Sequence, residues 1–204
     1  MLKMVKGAKI AGADKLEQGY QIMEDRIVAS VDADNIRNVI NGFLDINEGL
    51  PLFMFFEIPT NLKDEEIARK NEDGSLVIET HHKDVYYLDG ISAEFIRMIP
   101  DEIYDVIIND GISSFGVGNP LGEEIGKYRY NQMMVFTKEP KRYAEMLDKA
   151  GVKHMEDLVS AWNTITSETP GTCELYKAED GKNIYDVIRA FTDIGLYKAE
   201  KREG

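Results

Sequence analysis

Thiols are almost missing from this chain. Among 204 residues only Cys173 carries one, so no intramolecular disulfide can form and no cysteine cage for a metal exists. Histidine is nearly as scarce, with 3 residues: His81, His82 and His154. On a strand, His81 and His82 point to opposite faces and make a poor chelate, so no metal site is expected. Long apolar runs are missing too. The longest, Leu50 to Phe56, is far below the ~20 residues of a spanning helix. The basic stretch Met1 to Ile10 holds too short an apolar run for a secretory signal. These absences point to a reducing cytoplasm and away from the membrane.

Positive charge is in deficit. The formal net charge is -13, and the acidity is spread along the chain and not gathered in a tail. A uniformly negative field repels phosphate backbones and anionic lipid, so nucleic acid and membrane are poor partners, while a basic protein partner is electrostatically permitted. Reaction signatures are absent as well. No Gly-Lys-Ser/Thr follows the glycine-rich stretch, and no Gly-x-Ser-x-Gly elbow occurs. Thr172 and Glu174, beside Cys173, supply no base to activate it. No cofactor is expected.

What remains is ordinary globular composition, 43% hydrophobic and 30% charged, without a Gly-Ser or Pro-rich linker. One domain over residues 1–204 is the expectation. Arg26–Val31 reads as a strand, and Asp32 as the cap of a helix carrying Ile36, Val39, Ile40 and Phe43. Leu50–Ile58 reads as a strand buried on both faces. Leu62–Lys70 reads as a short helix. Ser75–Glu79 and His82–Leu88 read as a hairpin. Ser92 caps a helix to Ile99, Pro100 breaks it, and Ile103, Val106 and Ile107 continue it to a stop at Gly111. Lys127–Thr137 is the next strand. Helices follow from Pro140 to Lys149, over Met155–Ile165 and over Asn183–Ile194, and Leu196–Ala199 closes as a strand. The fold class is α+β: a mixed β-sheet with helices packed mainly on one face.

The densest feature is the run Asn109–Gly126, where Gly111, Gly116, Gly118, Gly122 and Gly126 place 5 of the chain's 17 glycines within 16 residues. It reads as a conformationally special loop between a helix and a strand. Pro120, Glu123 and Glu124 argue against a phosphate cradle, because a helix does not follow and two carboxylates repel an anion. Asp110, Glu123 and Glu124 lack the spacing of a calcium loop. Glu123 or Glu124 can pair with Arg129. The echo Asp89-Gly-Ile-Ser92 and Asp110-Gly-Ile-Ser113 suggests a glycine turn followed by a polar cap at both places.

Two functional readings stay open. In the first, this is a non-enzymatic protein-binding domain, an adaptor or a toxin-neutralising protein. Its partner site would include Asp110, Ser113, Ser114, Gly116, Gly118, Asn119, Glu123, Glu124, Arg129 and Trp162. In the second, the same run walls the pocket of a small enzyme or ligand-binding domain, with Asp110, Ser113, Ser114, Asn119 and Arg129 as its polar groups. A structural subunit of a larger assembly is a third possibility.

Several segments resemble an uncharacterised family of cytoplasmic proteins from Gram-positive bacteria. They are Tyr86–Ser92, Asn109–Gly116, Glu124–Tyr128, Tyr130-Asn131, Ala161–Thr164 and Thr169–Gly171, and the resemblance covers about residues 75–200. It implies a cytoplasmic protein and carries no activity or catalytic residue with it.

Overall fold

Among the described residues, eighteen strands and α-helices follow one another, and nine of the strands join one sheet. The computed structural model describes residues 1–60, 68–70, 76–78 and 82–203, and at 68–70, 76–78 and 203 the backbone alone. The elements are β1 (Ala8–Lys9), β2 (Gly19–Ile22), β3 (Arg26–Ser30), α1 (Ile36–Ile46), β4 (Leu52–Pro59), β5 (Ala68–Lys70) and β6 (Leu76–Ile78). Then come β7 (His82–Ile91), α2 (Ala93–Arg97), α3 (Asp101–Asn109), β8 (Ser114–Gly118), β9 (Glu124–Lys127) and β10 (Gln132–Phe136). The last are α4 (Pro140–Lys149), β11 (Lys153–His154), β12 (Thr172–Cys173), α5 (Ile184–Thr192) and β13 (Tyr197–Glu203).

The large sheet runs β11-β2-β3-β10-β9-β8-β4-β7-β13. Only the β11–β2 pair is parallel, so the sheet is mixed. Alternation along the strands sorts its two faces. Ile27, Ala29, Met54, Phe56, Phe115, Val117, Ile125, Met133 and Val135 share one core with the apolar stripes of α1, α3, α4 and α5. Val39, Ile40, Phe43 and Leu44 supply the stripe of α1, and Ile184, Val187, Ile188 and Phe191 that of α5. The helices therefore lie on one face, as the α+β pattern predicts.

Local chemistry explains most ends. Ser92 accepts the Phe95 amide at 3.1 Å and starts α2. Pro100 stands at the N-cap of α3, so the helix pattern breaks there without being lost. Pro140 occupies the first turn of α4. A reciprocal Asn183–Asp186 capping box opens α5. Gly195, at φ +111°, turns the chain into β13.

Several expectations are corrected. Asp32 does not cap α1: its Oδ1 accepts the Lys3 amide at 2.7 Å, and a single turn, Ala33–Asn35, leads into the helix. The strand from Leu50 is not buried on both faces throughout, because Phe53 and Glu57 are half-buried. Leu76–Ile78 pairs with Ala68–Lys70 and not with residues 82–88, so the expected helix ending at Lys70 finishes as strand. Its residues 62–67, together with Ser75, Glu79 and His81, lie outside the described residues. The expected helix over Met155–Ile165 is reduced to one turn, Ala161–Asn163. The Met155 amide instead donates to Tyr20 O at 2.8 Å and prolongs the β11–β2 pairing. Ser160 and Asn163 then close their own capping box, which competes with a longer helix.

Candidate functional site

The glycine run is not a loop. It is the β8–β9 hairpin in the middle of the sheet, with Phe115 opposite Lys127 and Gly116 opposite Gly126. The glycines make room for rings. A Cβ on Gly116 would stand 2.2 Å from the Phe55 ring, one on Gly118 2.3 Å from Phe53, and one on Gly126 2.9 Å from Tyr128. Phe53, Phe55 and Tyr128 lie over strands that have no side chains of their own at those positions. Glycine in a strand interior often marks such a close approach.

On the helix side the hairpin closes over charge. Asp110 is 0% exposed and Lys127 is 1% exposed. The Asp110 carboxylate accepts three amides, from Ile112 at 3.2 Å, Ser113 at 2.9 Å and Tyr176 at 2.9 Å. The Lys127 ammonium donates to Asp110 O at 2.5 Å and Ser113 O at 3.3 Å, just beyond the C-terminus of α3, where a cation is favoured. Burial lowers the Lys127 pKa to about 8, against the pull of the Asp110 charge. Three backbones meet beside this pair: Gly7 N donates to Asn109 O, Glu174 N to Gly7 O and Gly111 N to Glu174 O. Gly111 is therefore a point of close approach and not a left-handed helix stop. Only the first half of the Asp-Gly-Ile-Ser echo behaves as expected, with Gly90 at φ +70° and Ser92 as a cap.

The expected strand from Lys127 to Thr137 is interrupted. Tyr130 and Asn131 take left-handed φ values of 57° and 61°. Asn131 is locked there because its side chain accepts the Val5 amide and donates to Lys3 O and Val31 O. Burial, and then the Cys173 thiol beside it, push the Tyr130 hydroxyl up to about 12.

The hairpin turn is equally occupied. Asn119 accepts the amides of Leu121 and Glu123 and donates to Asn47 at 2.7 Å and Glu123 at 3.1 Å. Glu123 also accepts the Tyr143 hydroxyl at 2.6 Å. On the helix-free face, Glu57 pairs with Arg202 at 3.0 Å and Lys83 at 3.6 Å. Burial, then the Glu57 charge, raise the Glu124 pKa. Burial, then Glu124, raise that of the Tyr128 hydroxyl.

The structure thus scatters the sequence-predicted site. Asp110 and Ser113 face the helices. Ser114, Gly116 and Gly118 are buried in β8, and Gly116 and Gly118 are covered by rings. Asn119 and Glu123 hold the turn, and Glu124 lies on the helix-free face. Arg129 is exposed and makes no ion pair with Glu123 or Glu124. Trp162 is 46% exposed, stands edge-on to Tyr130 with ring centroids 5.0 Å apart and donates to Gln132 at 3.2 Å. These groups do not converge on one cavity. Among the described residues, no three His, Cys, Asp or Glu side chains gather as they would around a metal ion. No described helix is long and apolar enough to cross a membrane.

A different place offers unfilled surface. Between the α2–α3 corner and α5 lies an apolar groove of about 230 Å³. Phe95, Met98, Ile99 and Ile103 form one wall, and Ala190, Phe191 and Ile194 the other. Met98 is 66% exposed and Ile194 55% exposed. Met98 ends α2 and Pro100 begins α3, so the break between the two helices sets Met98 at the groove's rim. The signal in the sequence was faint but present: the stripe Ile184, Val187, Ile188, Phe191 continues at the same spacing to Ile194, past the end of α5.

No family model matches the chain, and neither a curated protein nor a solved structure is found to be similar to it.

Proposed function

We propose that this chain is a non-catalytic protein-binding domain of the bacterial cytoplasm, an adaptor or a toxin-neutralising protein, and that a partner docks in the α2–α3–α5 groove. The observation that carries this reading is the exposure of Met98 and Ile194 beside a concave apolar wall. Single exposed apolar residues are ordinary, but a contiguous groove lined by them marks recognition surfaces. The opposite finding at the glycine run supports the same conclusion. Asp110, Lys127, Asn119 and Glu123 there are engaged with one another, the backbone or a neighbouring side chain, and the Ser113 hydroxyl, which has no partner, is buried.

Affinity capture from source-cell extract tests the proposal. The wild-type protein, Met98→Asp and Arg129→Ala serve as baits. A protein retained by wild type and Arg129→Ala but lost with Met98→Asp supports the reading. Retention that ignores Met98→Asp and depends on Arg129 returns the site to the hairpin.

A further inference from the structure

We infer that the segment filling the groove is a cationic amphipathic helix of the partner, an inference that rests on the protein-binding reading above. The charges around the groove decide this. Glu94 stands one helical turn before Met98, and Asp193 lies three residues after Ala190, so both flank the apolar wall. Glu102 precedes Ile103. All three are exposed, and none is a partner in the ion pairs made by the nearby Arg97, Lys182 and Arg189. The neighbouring cations are already engaged. Arg97 reaches Asp45 at 2.5 Å and Glu48 at 3.8 Å, and Arg189 reaches Asp186 at 3.2 Å. Lys182 holds Asp180 at 2.7 Å, and that carboxylate first, with the Glu102 charge a smaller contributor, raises the Lys182 pKa. An apolar floor with an uncompensated acidic border selects an apolar ridge with basic flanks. It rejects acidic flanks by like-charge repulsion.

The dimensions agree. A cavity of roughly 150 Å³ takes a benzene-sized group, so 230 Å³ takes one large side chain with room beside it for a smaller one. Two such anchors one turn apart are what the apolar face of a helix presents. A second copy of this chain is a poor occupant, because it carries a net charge of -13 and brings the same acidic border.

Two fluorescein-labelled synthetic helices test the inference by anisotropy. They share one Leu/Phe apolar face and differ only in flanks, all Lys or all Glu. The Lys helix is expected to bind the wild-type protein at least tenfold tighter than the Glu helix, and less tightly in 0.5 M salt. The triple reversal Glu94→Lys, Glu102→Lys, Asp193→Lys is expected to invert that preference. Met98→Asp and Ile194→Asp are expected to weaken Lys-helix binding at least tenfold while leaving the circular dichroism spectrum unchanged. Equal binding of both helices, lost on Met98→Asp, overturns the charge inference and leaves the groove standing. Lys-helix binding that ignores Met98→Asp and Ile194→Asp overturns the groove itself. Sedimentation showing a dimer that Ile194→Asp dissolves would make a second copy the occupant and overturn the cationic partner.

Discussion

The β8–β9 hairpin and the α2–α3–α5 groove invert each other. The hairpin is rich in groups that suggest chemistry, and its central ones are satisfied internally: Asp110 by three amides, Lys127 by two carbonyls, Asn119 by its own turn, with the buried Ser113 hydroxyl the exception, left without a partner. The groove is built of plain apolar residues, and it is the part left unfilled. Polar groups held inside a fold cost free energy unless they are paired, so a polar constellation at the centre of a sheet is a solution to a packing problem. Apolar surface left outside is the feature that calls for a partner.

The largest effect that can sharpen this comparison is expected at Gly111. A Cβ there would stand 1.8 Å from Gly7 O and 2.9 Å from Glu174 O, both backbone atoms that cannot swing aside. Gly111→Ala should therefore cost about 3–5 kcal/mol, at the upper end of single substitutions, as read by chemical denaturation. A near-neutral result would mean the three-backbone junction is not rigid.

Lys127→Met comes next. It keeps the bulk of the stem but leaves Asp110 O and Ser113 O without their donor, at about 1–3 kcal/mol near pH 7. The pH dependence identifies the ammonium. With a folded pKa near 8 against an ordinary 10.5, the unfolded chain binds more protons in that interval. Stability therefore rises with pH between about 8 and 10.5, and the contribution is lost as pH falls through 8. The Met variant lacks this rise, so the gap between the two proteins should widen with pH. A constant gap in denaturation midpoints would contradict a buried, titrating Lys127.

The smallest effect on stability is expected in the groove. Met98→Asp and Ile194→Asp alter exposed side chains and should stay within about 0.5 kcal/mol of wild type. A loss of several kcal/mol would show that the groove belongs to the core and is not a free surface.

Much of the fold was legible in the sequence, because α1, α4 and α5 carry clean helical stripes, α4 opens on Pro140 and α5 on a capping box, and β3 is β-branched. The hairpin was not, since Gly116 and Gly118 hide the alternation of Phe115 and Val117, and glycine is scarce in strands generally. What those glycines accommodate, the rings of Phe53, Phe55 and Tyr128, comes from distant sequence or from a strand end. The kink at Tyr130–Asn131 was illegible for the same reason: Asn131 is held by Lys3, Val5 and Val31, all remote in sequence. The site was misplaced because reading from residue types rewards Asp, Ser and Glu, whereas Met98 and Ile194 gain meaning only when α2, α3 and α5 come together.

The most direct measurement is a map of backbone amide chemical shifts as the Lys-flanked helix is titrated into isotopically labelled protein. Saturable shifts are expected at Phe95, Met98, Ile103, Ala190 and Ile194, with Ser113, Gly118, Glu124 and Trp162 unmoved. Shifts confined to residues 109–129 and Trp162, with the groove silent, would contradict it.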